Sequence, residues 1–235
     1  MVLVNPRNPL NIGAAARAMS NFGFSHLRVV NPYELAFREA RSAVGATEIL
    51  ANAAAYKSVP AAVADCSVVV GTTAVRHRQV LHPIRRLSEA RDAIRSGLQS
   101  GTMALLFGSE KAGLSKKDLS HCHWLLHVPT EKSHVSMNLG QAVAVCLYEL
   151  VRNDSAPEHA EIAKRASAEA TERITLALLD ALRLSGYTNP RTADSSEDKV
   201  RRMLRRLNLS SADAELLLGM MRQISWKLGR ETGKL

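Results

Sequence analysis

The sequence predicts an α/β fold, a parallel sheet covered by helices on both faces. Short runs of apolar residues have the composition of buried strands, and longer segments between them have the composition of helices. The predicted strands are residues 1–4, 27–30, 67–70, 103–107 and 124–128. Alternation of this kind is typical of strand–helix–strand units, whose parallel strands are covered from both sides.

Four segments between the predicted strands are expected to be helices, because of their alanine content, charge spacing or apolar content: residues 11–22, 48–56, 88–96 and 139–151. Ligands of parallel sheets bind where strands end in loops. Gly71, Gly108 and the loop after Val128 each follow a predicted strand. We therefore expect three strand ends to meet at one binding site.

The chain is predicted to contain a first domain, residues 1–153, a linker and helix over 154–196, and a helical C-terminal extension over 197–235. The polar stretch 152–158 contains a proline, as linkers do. Beyond it, the pattern predicts helices over 161–185, 197–207 and 211–227.

The helix predicted over 197–207 has one apolar stripe at helical spacing, formed by Val200, Met203, Leu204 and Leu207. The residues that flank this stripe are basic: Lys199, Arg201, Arg202, Arg205 and Arg206. Two interpretations remain open for them, a solvent-exposed helix face and a contact with RNA phosphates.

The charge balance favours a polyanionic partner. The 235 residues carry a net charge of +9, and the isoelectric point is about 9.8. Residues 1–153 contain 17 Lys and Arg against 10 Asp and Glu, whereas residues 154–235 contain 14 against 12. The positive excess therefore lies mainly in the first predicted domain, and nucleic acid is the partner that such an excess suits.

The cysteines and the hydropathy suggest a cytoplasmic protein. Cys66, Cys122 and Cys146 are isolated and form no C-x-x-C pair, which argues against a disulfide framework or a zinc ribbon. The sequence has no signal-peptide pattern at its start and no apolar run of about 18 residues, so we expect no membrane segment.

Several other site types are excluded by the motifs. Gly108 and Gly113 have the spacing of a phosphate-binding P-loop, but Leu114 stands where its lysine is required. His121 and His123 have no acidic or cysteine partners that would complete a metal site, so no metal is expected.

Three motifs follow one another along the first domain. The first contains Asn11, Gly13 and Arg17, the second runs from Phe107-Gly-Ser-Glu to Gly113-Leu114, and the third is Ser136-Met-Asn-Leu139. In this order they resemble the motifs of SPOUT-class RNA 2′-O-ribose methyltransferases, the SpoU/TrmH superfamily. Within that class the chain is most similar to the TrmJ branch, which modifies the nucleotide that opens the tRNA anticodon loop, position 32.

The resemblance implies a C-terminal trefoil knot in the sheet domain, S-adenosyl-L-methionine as the cofactor and tRNA as the substrate. It also implies a homodimer whose active sites are shared between subunits, with Arg17 reaching the partner's site. Catalytic roles are implied for Arg17, Ser136 and Asn138, and supporting roles for Asn11, Glu110 and Gly113. The implied cofactor contacts are Thr72, Thr73, Ala74, Gly108, Val128, Ser136, Met137 and Asn138.

The reaction requires a nucleophile from an unreactive ribose hydroxyl. Because arginine side chains stay protonated in proteins, we expect Arg17 to clamp a phosphate and stabilise negative charge on the oxygen. Ser136 and Asn138 would orient the hydroxyl, while a phosphate oxygen or water accepts its proton. Two alternatives remain, a ribosomal RNA 2′-O-methyltransferase of the same class and an RNA-binding relative without catalysis.

Overall fold

The computed structural model describes residues 1–33, 37, 47–74, 82–99, 101–131, 133, 135–152, 164–188 and 193–232. Within them, one seven-stranded sheet has the order β3-β2-β1-β6-β4-β7-β5, and all its neighbouring strands are parallel. The strands are β1 (Val2–Val4), β2 (Arg28–Val30), β3 (Ala54–Tyr56), β4 (Val68–Thr73), β5 (Ile84–Arg86), β6 (Met103–Phe107) and β7 (Trp124–His127). The predicted parallel α/β class is confirmed.

Helices connect the strands and continue beyond the sheet. Those in the described residues are α1 (Pro9–Asn21), α2 (Thr47–Ala51), α3 (Val59–Ala62), α4 (Leu87–Gln99), α5 (Lys116–Ser120), α6 (Leu139–Val151), α7 (Ala168–Leu184), α8 (Ala193–Arg206) and α9 (Ser211–Thr232). None of them is long and apolar enough to cross a membrane.

Side chains of successive strand residues point to opposite faces of the sheet, which gives two cores. Leu3 packs on one face with residues of α1, α4 and α6, such as Ile12 and Val143. Val2 and Val4 pack on the other face with residues of α3 and α5. A third, smaller cluster joins α7, α8 and α9.

The helices nearest the carboxyl edge of the sheet begin at residues suited to that position. Asn8 precedes α1, its side chain accepts a hydrogen bond from the Leu10 amide at 2.9 Å, and Pro9 follows it. Ser115 and Asp118 form a reciprocal capping box at the start of α5. These caps fix where the helices leave the loops after β1 and β6.

The prediction of a helix over residues 48–56 is wrong for the second half of that segment. Helix α2 ends at Ala51, and Ala54–Tyr56 form β3 instead, paired with Arg28–Val30 of β2. Pairing with a neighbouring strand overrides the helical preference of alanine. Strand β4 also runs further than predicted, so Gly71 lies inside the sheet, paired with Leu106 and Leu125.

The C-terminal helices differ from the prediction in their bounds. Helix α7 begins at Ala168, α8 begins earlier than predicted, at Ala193, and α9 continues to Thr232. The boundary at residue 153 and the start of the linker fall on residues 153–163, which lie outside the described residues.

The interpretation of α8 requires a correction. Arg201 and Arg205 are buried, whereas Met203 and Leu207 of the predicted apolar stripe are exposed. Neither a solvent-exposed face nor an RNA contact therefore describes these two arginines. Helix α8 packs on α5 and α7, where Glu172 pairs with both guanidinium groups.

Candidate functional site

A cavity of about 390 Å³ lies at the carboxyl ends of β4, β6 and β7, a size within the usual range for small-molecule sites. Its walls come from three segments: Thr72 to Ala74 at the end of β4, Phe107 to Leu114 at the end of β6, and the region from Leu126 to Ala142 that includes the start of α6. The three strand ends named from the sequence thus line one cavity, as predicted.

The loop after β6 folds back on itself across one wall of the cavity. The Gly113 amide donates a hydrogen bond to the Ser109 carbonyl at 2.8 Å, and Gly113 has a φ of +68°. A Cβ added to Gly108 would lie 2.0 Å from the Gly113 carbonyl carbon. Side chains are therefore excluded at Gly108 and strained at Gly113, so the cavity lies against bare backbone.

Glu110 connects this loop to the first motif. One of its carboxylate oxygens accepts hydrogen bonds from the Asn8 amide at 3.2 Å and from Asn11 Nδ2 at 3.0 Å, and the other accepts from the Arg7 amide at 3.3 Å. Burial alone would raise the pKa of Glu110, but these hydrogen bonds outweigh it and lower the pKa. The carboxylate is thus held ionised, as a brace between the two segments.

Asn138 connects the third motif to the same group. Its Nδ2 donates to Asn11 Oδ1 at 2.8 Å, while its Oδ1 accepts from the amides of Gly140 and Gln141 at 2.9 and 3.4 Å. Asn138 therefore caps α6 and holds Asn11 at once. Glu110, Asn11 and Asn138 form one hydrogen-bonded chain that joins all three motifs.

The structure brings most of the predicted site residues to the cavity. Those that line it are Thr72, Thr73, Ala74, Gly108, Glu110, Gly113, Val128, Ser136 and Met137. Asn11 and Asn138 do not line it; they stand behind the loops and position them. The Thr72 hydroxyl donates to the Leu106 carbonyl at 2.9 Å, which directs it toward the sheet.

Arg17 lies away from this cavity within one chain. It is exposed on α1, seven residues after Leu10, whose side chain is 80% exposed on the same face of the helix. Its guanidinium group makes no hydrogen bond or ion pair with the residues that the structure describes.

Sequence reasoning missed the apolar part of the lining. Leu114, Leu119, Leu126, Leu139 and Ala142 all contribute to the cavity. A signal was present for some of them, since Leu114 and Leu139 belong to the quoted motifs. Leu119 and Leu126 resemble ordinary core residues in sequence, so their place in the lining becomes visible only in the fold.

The lining has the character of a site for an organic ligand with an apolar ring. Glu110 and Lys111 are the charged side chains among the lining residues, and the rest are apolar or small and polar. In the described part of the chain, no group of three or more His, Cys, Asp or Glu residues could hold a metal ion. Apolar walls suit a planar ring, and exposed loop backbone suits its polar edges.

Known proteins with similar sequence and fold agree on one family. Residues 1–148 match the model of the SpoU rRNA Methylase family. The tRNA (cytidine/uridine/adenosine-2′-O-)-methyltransferase TrmJ of Pseudomonas aeruginosa strain UCBPP-PA14 is 33% identical, over 94% of this chain and 91% of its own. TrmJ of Sodalis glossinidius is 31% identical, over 99% and 93%. The crystal structure of TrmJ from Z. mobilis ZM4 superposes with a TM-score of 0.83 at 32% identity, over 95% of this chain and 97% of that one. The chain described here belongs to the SpoU methylase family.

Proposed function

We propose that this protein transfers a methyl group from S-adenosyl-L-methionine to a ribose 2′-hydroxyl of tRNA, at the nucleotide that opens the anticodon loop. The main support for the proposal is the cavity at three strand ends. Hydrogen bonds between the side chains of Glu110, Asn11 and Asn138 join the loops around it. Relatives named as tRNA 2′-O-methyltransferases align over nearly the full length of both chains, which supports tRNA as the substrate. We expect the protein to act in the cytoplasm, where tRNA is found.

The cavity residues fit this cofactor. Gly108 lets the loop after β6 close on Gly113, so that bare backbone faces the nucleoside, and Leu114, Leu126 and Leu139 provide an apolar surface for its ring. Backbone groups at Thr73, Val128 and Met137, which line the cavity, would contact its polar atoms. When bound, the cofactor supplies an electrophilic methyl group on a sulfonium.

The residues at the open side of the cavity would handle the RNA. Ser136 is exposed, lines the cavity and precedes the helix cap, and its hydroxyl would orient the ribose. Asn138 would influence the binding of both the cofactor and the RNA indirectly, because its side-chain amide holds Asn11 and the start of α6 in place. We expect the proton of the hydroxyl to pass to a phosphate oxygen or to water.

Arg17 would complete the site from a second copy of the chain. Leu10 on α1 and Val145 and Tyr148 on α6 are exposed apolar side chains on two helices that pack together. Exposed apolar side chains on a helix pair suit a homodimer interface. Arg17, on the same face as Leu10, would then enter the partner's site and bind the phosphate beside the target ribose.

The test is methyl transfer from labelled S-adenosyl-L-methionine to total tRNA and, separately, to ribosomal RNA, followed by mapping of the labelled nucleotide. The description of the family model names rRNA, which makes ribosomal RNA the second candidate substrate. Gly108→Ala should abolish transfer, because the added Cβ meets backbone. Gly97→Ala is the matched control, since a Cβ there lies at ordinary contact distance, 3.5 Å from its nearest neighbours. Transfer to ribosomal RNA alone, or to neither RNA, would contradict the proposal.

A further inference from the structure

Helix α9 presents a basic and aromatic stripe that the proposed site does not use. The helix packs along α7, and Leu217 and Leu218 turn toward that contact. Arg222, Trp226 and Arg230 follow one another at intervals of four residues, so they share one face, and all three are exposed.

The indole ring of Trp226 is 54% exposed although a guanidinium group covers part of it. The Cζ of Arg230 lies 4.7 Å from the ring centroid, a cation–π contact. A Cβ added at Gly229, three residues after Trp226, would meet no atom within 4 Å. An aromatic surface therefore stays open to solvent, where a planar ligand can stack on it.

The charge around the ring identifies the kind of ligand. Residues 216–230 contain Arg222, Lys227 and Arg230 and no Asp or Glu. An aromatic ring between cationic side chains matches single-stranded nucleic acid, in which bases stack and phosphates alternate with them.

A second copy of the chain fits this stripe less well. Leu216, Met220 and Ile224 form a neighbouring exposed apolar row, which by itself would suit a protein partner. In a two-fold symmetric contact centred on Trp226, however, the arginines of the two copies would face one another, and like charges in an interface are unfavourable.

We infer that Arg222, Trp226 and Arg230 form a second RNA-binding site, in which an unpaired nucleobase stacks on Trp226 and the flanking phosphates pair with the two arginines. The inference rests on the proposed function only in taking the RNA to be tRNA. It assigns α9 a role in holding the substrate outside the cavity at the sheet edge.

The chain offers a direct reporter for stacking, because its two tryptophans differ in exposure. Trp124 is 8% exposed and Trp226 is 54% exposed. In a Trp124→Phe variant, total tRNA should quench the remaining indole emission, and added salt should reverse the quenching. Absence of quenching at tRNA concentrations that saturate binding in a filter assay would overturn the inference.

Variants of the stripe separate the contribution of base stacking to tRNA affinity from the contribution of charge. Trp226→Leu should weaken tRNA binding about tenfold and raise KM with little change in kcat, whereas Trp226→Tyr should keep most of the affinity. Arg222→Gln and Arg230→Gln should each reduce the slope of log affinity against log salt by about one. Arg173→Gln, at an exposed position of α7, is the control for the loss of one positive charge. It should reduce the tRNA affinity less than Arg222→Gln or Arg230→Gln does.

The outcomes also separate this inference from the proposed function. If the protein methylates tRNA and Trp226→Leu leaves KM unchanged, the stacking site is wrong and the proposed function stands. If the protein does not methylate tRNA but tRNA still quenches Trp226, the RNA site stands and the proposed function fails. If Trp226→Leu alters the sedimentation of the protein but not its RNA affinity, the stripe is a contact between copies of the chain, and the inference is overturned.

Discussion

Arg201 of α8 binds Glu172 of α7 through a two-pronged contact. Its Nε lies 3.1 Å from each carboxylate oxygen, and its Nη2 lies 2.9 Å from Oε1. The two side chains are 4% and 19% exposed. The same guanidinium group reaches Ser120 Oγ, at 3.4 Å, at the end of α5. Because α5 begins directly after the cavity loop, this contact fastens the C-terminal helices to the element that supports the cavity.

The first prediction concerns this contact. Arg201→Ala should lower the free energy of unfolding by about 3 kcal/mol, because it removes a buried cation and leaves Glu172 with Arg205 as its remaining cationic partner at 3.5 Å. Urea unfolding at neutral pH measures the change. Arg206→Ala, on the exposed side of the same helix, is the matched control and should change the value by less than about 0.5 kcal/mol. A loss below 1 kcal/mol for Arg201→Ala would show that the contact is not a structural anchor.

Stability should also fall as the pH is lowered from 7 to 5.5. Burial, together with the charge of nearby arginines, lowers the pKa of His121 and His123 to about 3 each and that of His82 to about 4. The folded protein keeps these rings neutral, whereas the unfolded chain binds protons below pH 6.5. The contribution of these histidines to stability is therefore complete above that pH and is lost as the pH falls below it, by at most about 1.4 kcal/mol per pH unit for each histidine.

Urea unfolding across this pH range measures the effect. Asp65 and Glu110, whose carboxyl pKa values are lowered, contribute at more acidic pH. Burial lowers the pKa of the Met1 amino group to about 6, so this group adds to the fall between pH 7 and 6, equally in the native protein and in a histidine variant. His121→Leu should make the dependence on pH shallower whatever its effect on stability at pH 7. An unchanged slope would mean that His121 is already accessible to protons in the folded state.

The sequence was sufficient to predict the parallel sheet and the three loops at the cavity, because these features depend on patterns within short segments of the chain. Strand runs such as Met103–Phe107 are apolar throughout, and Gly108, which follows that strand, is required by close backbone approach. Helix α6 coincides with its predicted span because Asn138 provides a cap that is visible in the sequence.

The parts that were missed depend on contacts between distant segments. Strands β3 and β5 are short strands at the two edges of the sheet, and their residues Ala54–Tyr56 and Ile84–Arg86 lack the apolar run of a central strand. The burial of Arg201 depends on Glu172, 29 residues earlier in the chain. No periodicity within α8 distinguishes a buried arginine from an exposed one.

Glu110 provides a third prediction. Glu110→Gln should weaken S-adenosyl-L-methionine binding about tenfold, because an amide replaces one acceptor oxygen with a donor that faces the Arg7 or Asn8 amide. Calorimetric titration of the cofactor measures this change. Glu215→Gln, at an exposed position of α9, is the control for loss of a carboxylate. Unchanged affinity would mean that the brace between the first two motifs does not shape the cavity.

The last prediction tests the shared active site. Arg17→Ala should abolish methyl transfer and leave cofactor binding nearly intact, because Arg17 lies outside the cavity of its own chain. Gly108→Ala should abolish both, because the added Cβ would lie 2.0 Å from backbone. In a heterodimer of the two variants, the chain with Arg17→Ala keeps an intact cavity and receives Arg17 from its partner. One site of two is then complete, so purified heterodimers should regain about half of the native activity per dimer. Heterodimers that form but stay inactive would show that Arg17 does not act across the interface.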